Sequence, residues 1–215
     1  MKKVLFAAAM IASSMSFAQS NTKGTIHLGL GWGAQLGGAT LKYSAGSNSV
    51  SEKGAGLRAA SGLRVSYGLA DAFSLGLFLR KEGAVYVASS TSGSSSTSSS
   101  LVTSGLGIGL EPKGYVVNKD KFNLYFALPI GFSTGKSYDI DYSSETTKMS
   151  GLNYGLNVGF NWYWASFIGM SLDLGYSGVA LSGKKTNSYG TEIKTNINGG
   201  GLFFGLGLVS KFGGK

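Results

Sequence analysis

The chain has no cysteine, only two prolines and one histidine among 215 residues, and 13 % of its residues are charged. Without cysteine there is no disulfide framework, no thiol nucleophile and no cysteine-based metal site. With one histidine, His27, a transition-metal centre has too few ligands. Long runs of apolar residues are also missing beyond residue 20, so no later segment reads as a membrane-crossing helix. What abounds is glycine, 35 residues, together with 12 % aromatics and 43 % hydrophobic residues. The glycines follow no triplet repeat, which excludes collagen. The hydrophobic content excludes bulk disorder.

The first residues read as an address. Lys2 and Lys3 precede an apolar stretch, Val4 to Ala12, and Ser16-Phe17-Ala18 forms a small-x-small cleavage site. This is the pattern of a secretory signal peptide over residues 1–18. Cleavage falls between Ala18 and Gln19, leaving 19–215 as one domain. Removing Lys2 and Lys3 lowers the formal charge from +9 to +7.

From Gly24 onward the dominant period is two. One segment places Leu57, Leu63, Val65, Tyr67 and Leu69 on one face, and Arg58, Gly62, Arg64, Ser66 and Gly68 on the other. Another sets Leu152, Tyr154, Leu156, Val158, Phe160 and Trp162 against Asn153, Gly155, Asn157, Gly159 and Asn161. Eight such segments are expected, near 24–36, 55–69, 73–87, 101–117, 121–134, 149–164, 167–181 and 196–212. Short turns join the second to the third, the fourth to the fifth and the sixth to the seventh. The remaining connections, 37–54, 88–100, 135–148 and 182–195, read as long polar loops. Ala88 to Ser100 is almost pure Ser, Thr and Gly, a low-complexity flexible loop. Pro112 and Pro129 each remove a ladder donor, so a bulge or strand end is expected at each.

Three features place the apolar face outside. Its bulky rows would overfill a narrow eight-stranded interior. The opposite face is rich in glycine, as in Gly29, Gly31 and Gly33 or Gly105, Gly107 and Gly109, which frees interior space. Aromatic residues gather at the short-turn ends: Tyr67, Phe73, Phe122, Trp162, Tyr163, Trp164, Phe167 and Phe212. That is the pattern of an interfacial girdle. The expected fold is all-β, an eight-stranded antiparallel up-and-down transmembrane β-barrel.

These features resemble the small outer-membrane β-barrels of diderm bacteria, the OmpA/OmpX-like superfamily. The last strand, Gly205 to Phe212, looks like the C-terminal signal read by the barrel-assembly machinery, although Gly213-Gly214-Lys215 follow it. The resemblance implies residence in the bacterial outer membrane and an architecture, but no single activity.

By parity Arg64, Arg80, Glu111 and Asp173 point inward at mid-height, where unpaired charge is costly and bidentate pairing is expected. Arg58, Lys113, Tyr125 and Asn157 are placed to join them. This constellation reads as a salt-bridge plug, with a gated pore as the functional alternative. His27 also faces inward. Ser74 and Asp173 are conceivable triad partners, but no spacing selects them. Gly105-x-Gly107-x-Gly109 lacks the spacing and the helix of a nucleotide site. The basic residues Lys42, Lys53, Lys136, Lys148, Lys184, Lys185 and Lys194 read as dispersed through loops, which disfavours nucleic acid. Membrane lipid and lipopolysaccharide are the simpler partners. The expected protein is monomeric and non-enzymatic, without cofactor, with a structural or surface-interaction role. A small solute channel, an adhesin and a lipid A-modifying enzyme are the alternatives.

Overall fold

The computed structural model describes residues 19–92, 95–139, 146–186 and 190–213. The signal peptide expected over 1–18 lies outside the described residues, as do 93–94, 140–145, 187–189 and 214–215. The described residues form nine strands: β1 (Ile26–Ala45), β2 (Asn48–Ala70), β3 (Phe73–Ser92), β4 (Ser95–Asn118), β5 (Phe122–Ala127), β6 (Ile130–Asp139), β7 (Thr146–Tyr163), β8 (Ile168–Thr186) and β9 (Glu192–Phe212). Every neighbour is antiparallel. β1 pairs with both β2 and β9, so the sheet closes into a ring. β5 and β6 together form one stave between β4 and β7, giving eight staves. Closure gives the backbone donors and acceptors partners within the wall, as lipid requires.

Toward the short-turn rim the outer wall is largely apolar. Leu28, Leu30, Trp32 and Leu36 on β1 are exposed, as are Leu202, Phe204, Leu206 and Leu208 on β9. Their inward neighbours are His27, Gln35 and a run of glycines. The girdle residues Tyr67, Phe73, Trp162, Trp164, Phe167 and Phe212 are exposed at the short-turn rim. Phe122 stands beside them, opposite Trp162. Tyr163 departs from that expectation: it is buried and points into the lumen. Its parity opposes that of Trp162 and Trp164, and the phenol oxygen finds a partner inside.

The connections at the other rim are not long loops. β1 and β2 continue in register to Ala45 opposite Asn48, joined by Gly46 and Ser47. Gly46 has φ +58°, which fits a type II′ hairpin with glycine first. The Ser-rich segment likewise stays in the ladder, with Ala88 opposite Ser99 and Ser92 opposite Ser95. A polar sequence can hold strand form here because each rung extends a ladder already started by Val85, Tyr86 and Val87 opposite Val102, Leu101 and Ser100. At about 3.3 Å per residue the 24 residues of β4 run roughly 80 Å. A tilted strand needs only about 10 residues to cross a bilayer. The wall therefore stands well beyond the lipid.

The two prolines sit side by side in that wall. Leu128-Pro129 interrupts the fifth stave, yet the register is the same on both sides of the gap. Pro112 lies opposite Leu128 within an unbroken β4, whose bulge falls instead at Tyr115/Val117. Pro112 O still accepts from Leu128 N at 3.1 Å, and Pro129 O from Gly155 N at 2.8 Å. Since a residue's N–H and C=O share one strand edge, each proline costs one rung in a different seam.

Candidate functional site

The lumen is the candidate site, and it is layered from the short-turn rim upward. At the base, residues 19–24 fold into the mouth. Gly24, with φ +90°, turns this segment into β1. Ser20 and Asn21 are fully buried. Asn118, at the end of β4, holds them from both sides of its amide. Its Oδ1 accepts from Ser20 Oγ (3.1 Å) and Asn21 N (2.9 Å). Its Nδ2 donates to Asn21 O (2.5 Å) and Asp71 O (2.6 Å). Asn21 Nδ2 donates to Ala70 O at 2.8 Å, and Asn123 Nδ2 to Ser20 Oγ at 2.7 Å. Gly68 faces this segment, and a Cβ there would collide with the carbonyl of Thr22.

His27 sits directly above. Its Nδ1 lies 3.0 Å from Tyr163 Oη and its Nε2 3.3 Å from Asn21 Oδ1. Its ring stacks on Tyr115 at 6.4 Å between centroids. Ser74 bonds Tyr115 Oη at 3.1 Å, not the histidine. Asp173 is engaged elsewhere. The structure therefore does not bring Ser74, His27 and Asp173 together.

The charged layer forms two clusters. In the lower, Arg64 Nη1 meets Asp173 Oδ2 at 2.7 Å, and its Nε is 3.8 Å from Glu111 Oε2. Lys113 Nζ pairs with Glu111 Oε1 at 2.8 Å, and Tyr125 Oη donates to Asp173 Oδ1 at 2.8 Å. In the upper, Arg58 Nη2 meets Glu82 Oε2 at 2.5 Å, and Arg80 Nε pairs with Glu82 Oε1. Ser133 Oγ donates to Glu82 Oε2 at 2.9 Å, and Asn153 Nδ2 to Ser133 Oγ at 2.6 Å. Arg64, Glu111 and Asp173 thus meet, whereas Arg80 pairs with Glu82. Sequence reasoning passed over Glu82, although its parity on β3 matches that of Ser74 and Arg80. Asn157 is buried nearby. Interior glycines open the space: a Cβ at Gly159 would strike the ring of Tyr125, and one at Gly107 would come 2.6 Å from Glu82 Oε1.

Above the charges the lumen turns apolar. Leu41, Tyr86, Leu101, Met149 and Ile197 pack with Ala39, Ala84 and Ala88. This layer corrects the expectation of an interior dominated by Gly, Ala, Ser and Asn. It is capped by an open cavity of about 420 Å³ lined by Tyr43, Val50, Leu101, Tyr138, Ile193 and Thr195, among others. Below it the voids are small: about 20 Å³ beside Arg58 and Glu82, 30 Å³ beside Arg64 and Arg80, and 20 Å³ beside His27.

A solved structure shares this architecture. Over 92 % of this chain and 100 % of the other, the barrel superposes on the outer membrane protein OprG from Pseudomonas aeruginosa with a TM-score of 0.63 at 14 % identity. The chain has the fold of a small bacterial outer-membrane β-barrel. The N-terminal β-barrel domain of Pseudomonas aeruginosa OprF also matches this barrel, with a TM-score of 0.42 at 12 % identity, over 88 % of this chain and 98 % of the other. No protein-family model and no curated protein sequence matches the barrel's sequence.

Proposed function

We propose that the chain is an integral outer-membrane protein with a plugged lumen, serving a structural or surface-interaction role through the wall that rises beyond the lipid. One observation carries this reading. From residues 19–24 to the Arg58–Glu82 pair the lumen is filled by hydrogen-bonded and ion-paired side chains, and the voids between them are of the order of a single water. Passage of a solute would require breaking buried ion pairs, which is costly. The engagement of both His27 nitrogens by Tyr163 and Asn21 supports a non-enzymatic role. Lipid and lipopolysaccharide would surround a monomer delivered by the barrel-assembly machinery.

Planar-bilayer recording of the refolded barrel tests the plug. Silence is expected, and steady single-channel openings overturn it in favour of a solute channel. Lipid A mass should be unchanged by His27→Ala; a change that depends on His27 would restore the enzyme reading.

A further inference from the structure

Lysines that are scattered along the sequence become a row on the outer wall. Lys136 on β6 stands directly opposite Lys148 on β7, and Lys184 on β8 directly opposite Lys194 on β9. Lys148 and Lys184 follow one position beyond the last β7–β8 pair, Met149 with Gly183. Lys194 pairs with Ser44 on β1, which makes Lys42 its diagonal neighbour. Lys42 pairs with Ser51 on β2, which makes Lys53 the next diagonal neighbour. All six are exposed and share the outward parity of the lipid-facing residues. They stand 14 to 18 residues from the short-turn ends of their staves, so they lie within a band about 10 Å high around six adjacent staves.

Directly opposed like charges destabilise a sheet. Among the described residues the carboxylate that meets this row is Glu192, 2.8 Å from Lys184 Nζ. Among the described side chains the row therefore carries an excess of positive charge. Its position gives that charge a use. Below it on the same staves lie the outward Phe132, Leu152, Leu202, Leu36 and Leu57, followed by a short step of Thr134, Ser150, Asn198 and Thr40. Four to eight residues separate the last of these apolar side chains from the lysines. For strands tilted about 40° that is roughly 10–20 Å above the apolar band. A band of charge around six of the eight staves matches a planar layer of anions better than a linear polymer. Lysine suits it, being a compact point charge that contacts phosphate without demanding fork geometry.

We propose that Lys136, Lys148, Lys184, Lys194, Lys42 and Lys53 form a phosphate-binding belt that engages the phosphorylated sugar headgroups of outer-leaflet lipopolysaccharide. The proposal rests on the outer-membrane reading above. It turns a general attraction of basic loops for lipopolysaccharide into a defined surface confined to one band.

The test uses the full barrel refolded in neutral detergent, with heat-modifiable gel migration as the check of folding. Binding of lipopolysaccharide, of the same lipopolysaccharide dephosphorylated, of phosphatidylcholine micelles and of heparin is measured at low salt and at 1 M salt. The parent should bind phosphorylated lipopolysaccharide at least tenfold more tightly than the dephosphorylated form or phosphatidylcholine. The preference should vanish at 1 M salt, where the screening length is about 3 Å. The quadruple variant Lys136→Gln, Lys148→Gln, Lys184→Gln, Lys194→Gln should lose that preference and keep its heat-modifiable shift. The corresponding four lysine-to-arginine changes should retain it, which also guards against a misfolded glutamine variant. Changing Lys23, Lys119 and Lys121 to Gln at the opposite rim should leave it intact. Equal loss in that control, or full binding by the quadruple variant, overturns the belt. Binding heparin as tightly as lipopolysaccharide overturns the membrane source. A parent chain without a heat-modifiable shift overturns the barrel reading itself, whereas a shifted barrel indifferent to phosphate overturns the belt alone.

Discussion

The lower and upper halves of the lumen are built on opposite rules, although the same strands make both. In the lower half of β9, Leu208, Leu206, Phe204 and Leu202 face outward while Gly207, Gly205 and Gly201 face inward. In the upper half the inward residues are Ile197, Thr195 and Ile193, and the outward ones are Asn198, Asn196 and Lys194. β1 reverses in the same way, from outward Leu36 to inward Leu41. The switch falls at Gly37-Gly38 on β1 and at Gly199-Gly200-Gly201 on β9. Neither the register nor the ladder breaks there. The physical reason is a change of solvent along the strand. Where lipid covers the wall, apolar side chains belong outside and the enclosed charges must pair. Where water covers it, the apolar side chains are best buried inside, as in a soluble barrel. The reversal marks where the wall leaves the membrane, and the lysine belt lies just beyond it.

This contrast can be broken from either half. The largest effect is expected for Arg64→Met. It leaves Asp173 and Glu111 buried without their shared guanidinium and should cost about 3–5 kcal/mol, measured as a lowered urea midpoint of the refolded barrel. Leu41→Ala in the upper lumen should cost roughly 3 kcal/mol, because Leu41 is 0 % exposed and its loss leaves a cavity. If the upper half were a solvated vestibule, the same change would be nearly silent. Outward positions of β1 locate the boundary more finely. Leu30→Arg should cost about 2 kcal/mol, since Leu30 faces lipid. Thr40→Arg, ten residues up the same strand, should stay within about 0.5 kcal/mol. Equal penalties at both positions would place lipid against the whole strand and remove the reversal.

Much of this was legible in residue order. The alternation from Leu28 to Leu36 announces a strand with one apolar face, and the short turns announce hairpins. Parity alone put Arg64, Glu111 and Asp173 inside, and the same rule applied to Glu82 would have supplied the partner of Arg80. The phase change after Leu36 was harder to read. A strand whose apolar face switches sides has the same local appearance as a strand that stops, so 37–54 looked like a loop. The burial of Ser20 and Asn21 in the mouth had no signal, since short polar segments before a strand are common. Tyr163 was misplaced because aromatics cluster there on both faces.

Residue order by itself determined the all-β class, the outward apolar stripe and the inward charges, because a period of two ties each side chain to a face irrespective of its partners. Only the tertiary structure decided which charges meet, how residues 19–24 fold into the base, and that lysines from six staves fall in one band. Those facts depend on register between strands distant in sequence, which is set by ring closure and shear and not by any single segment.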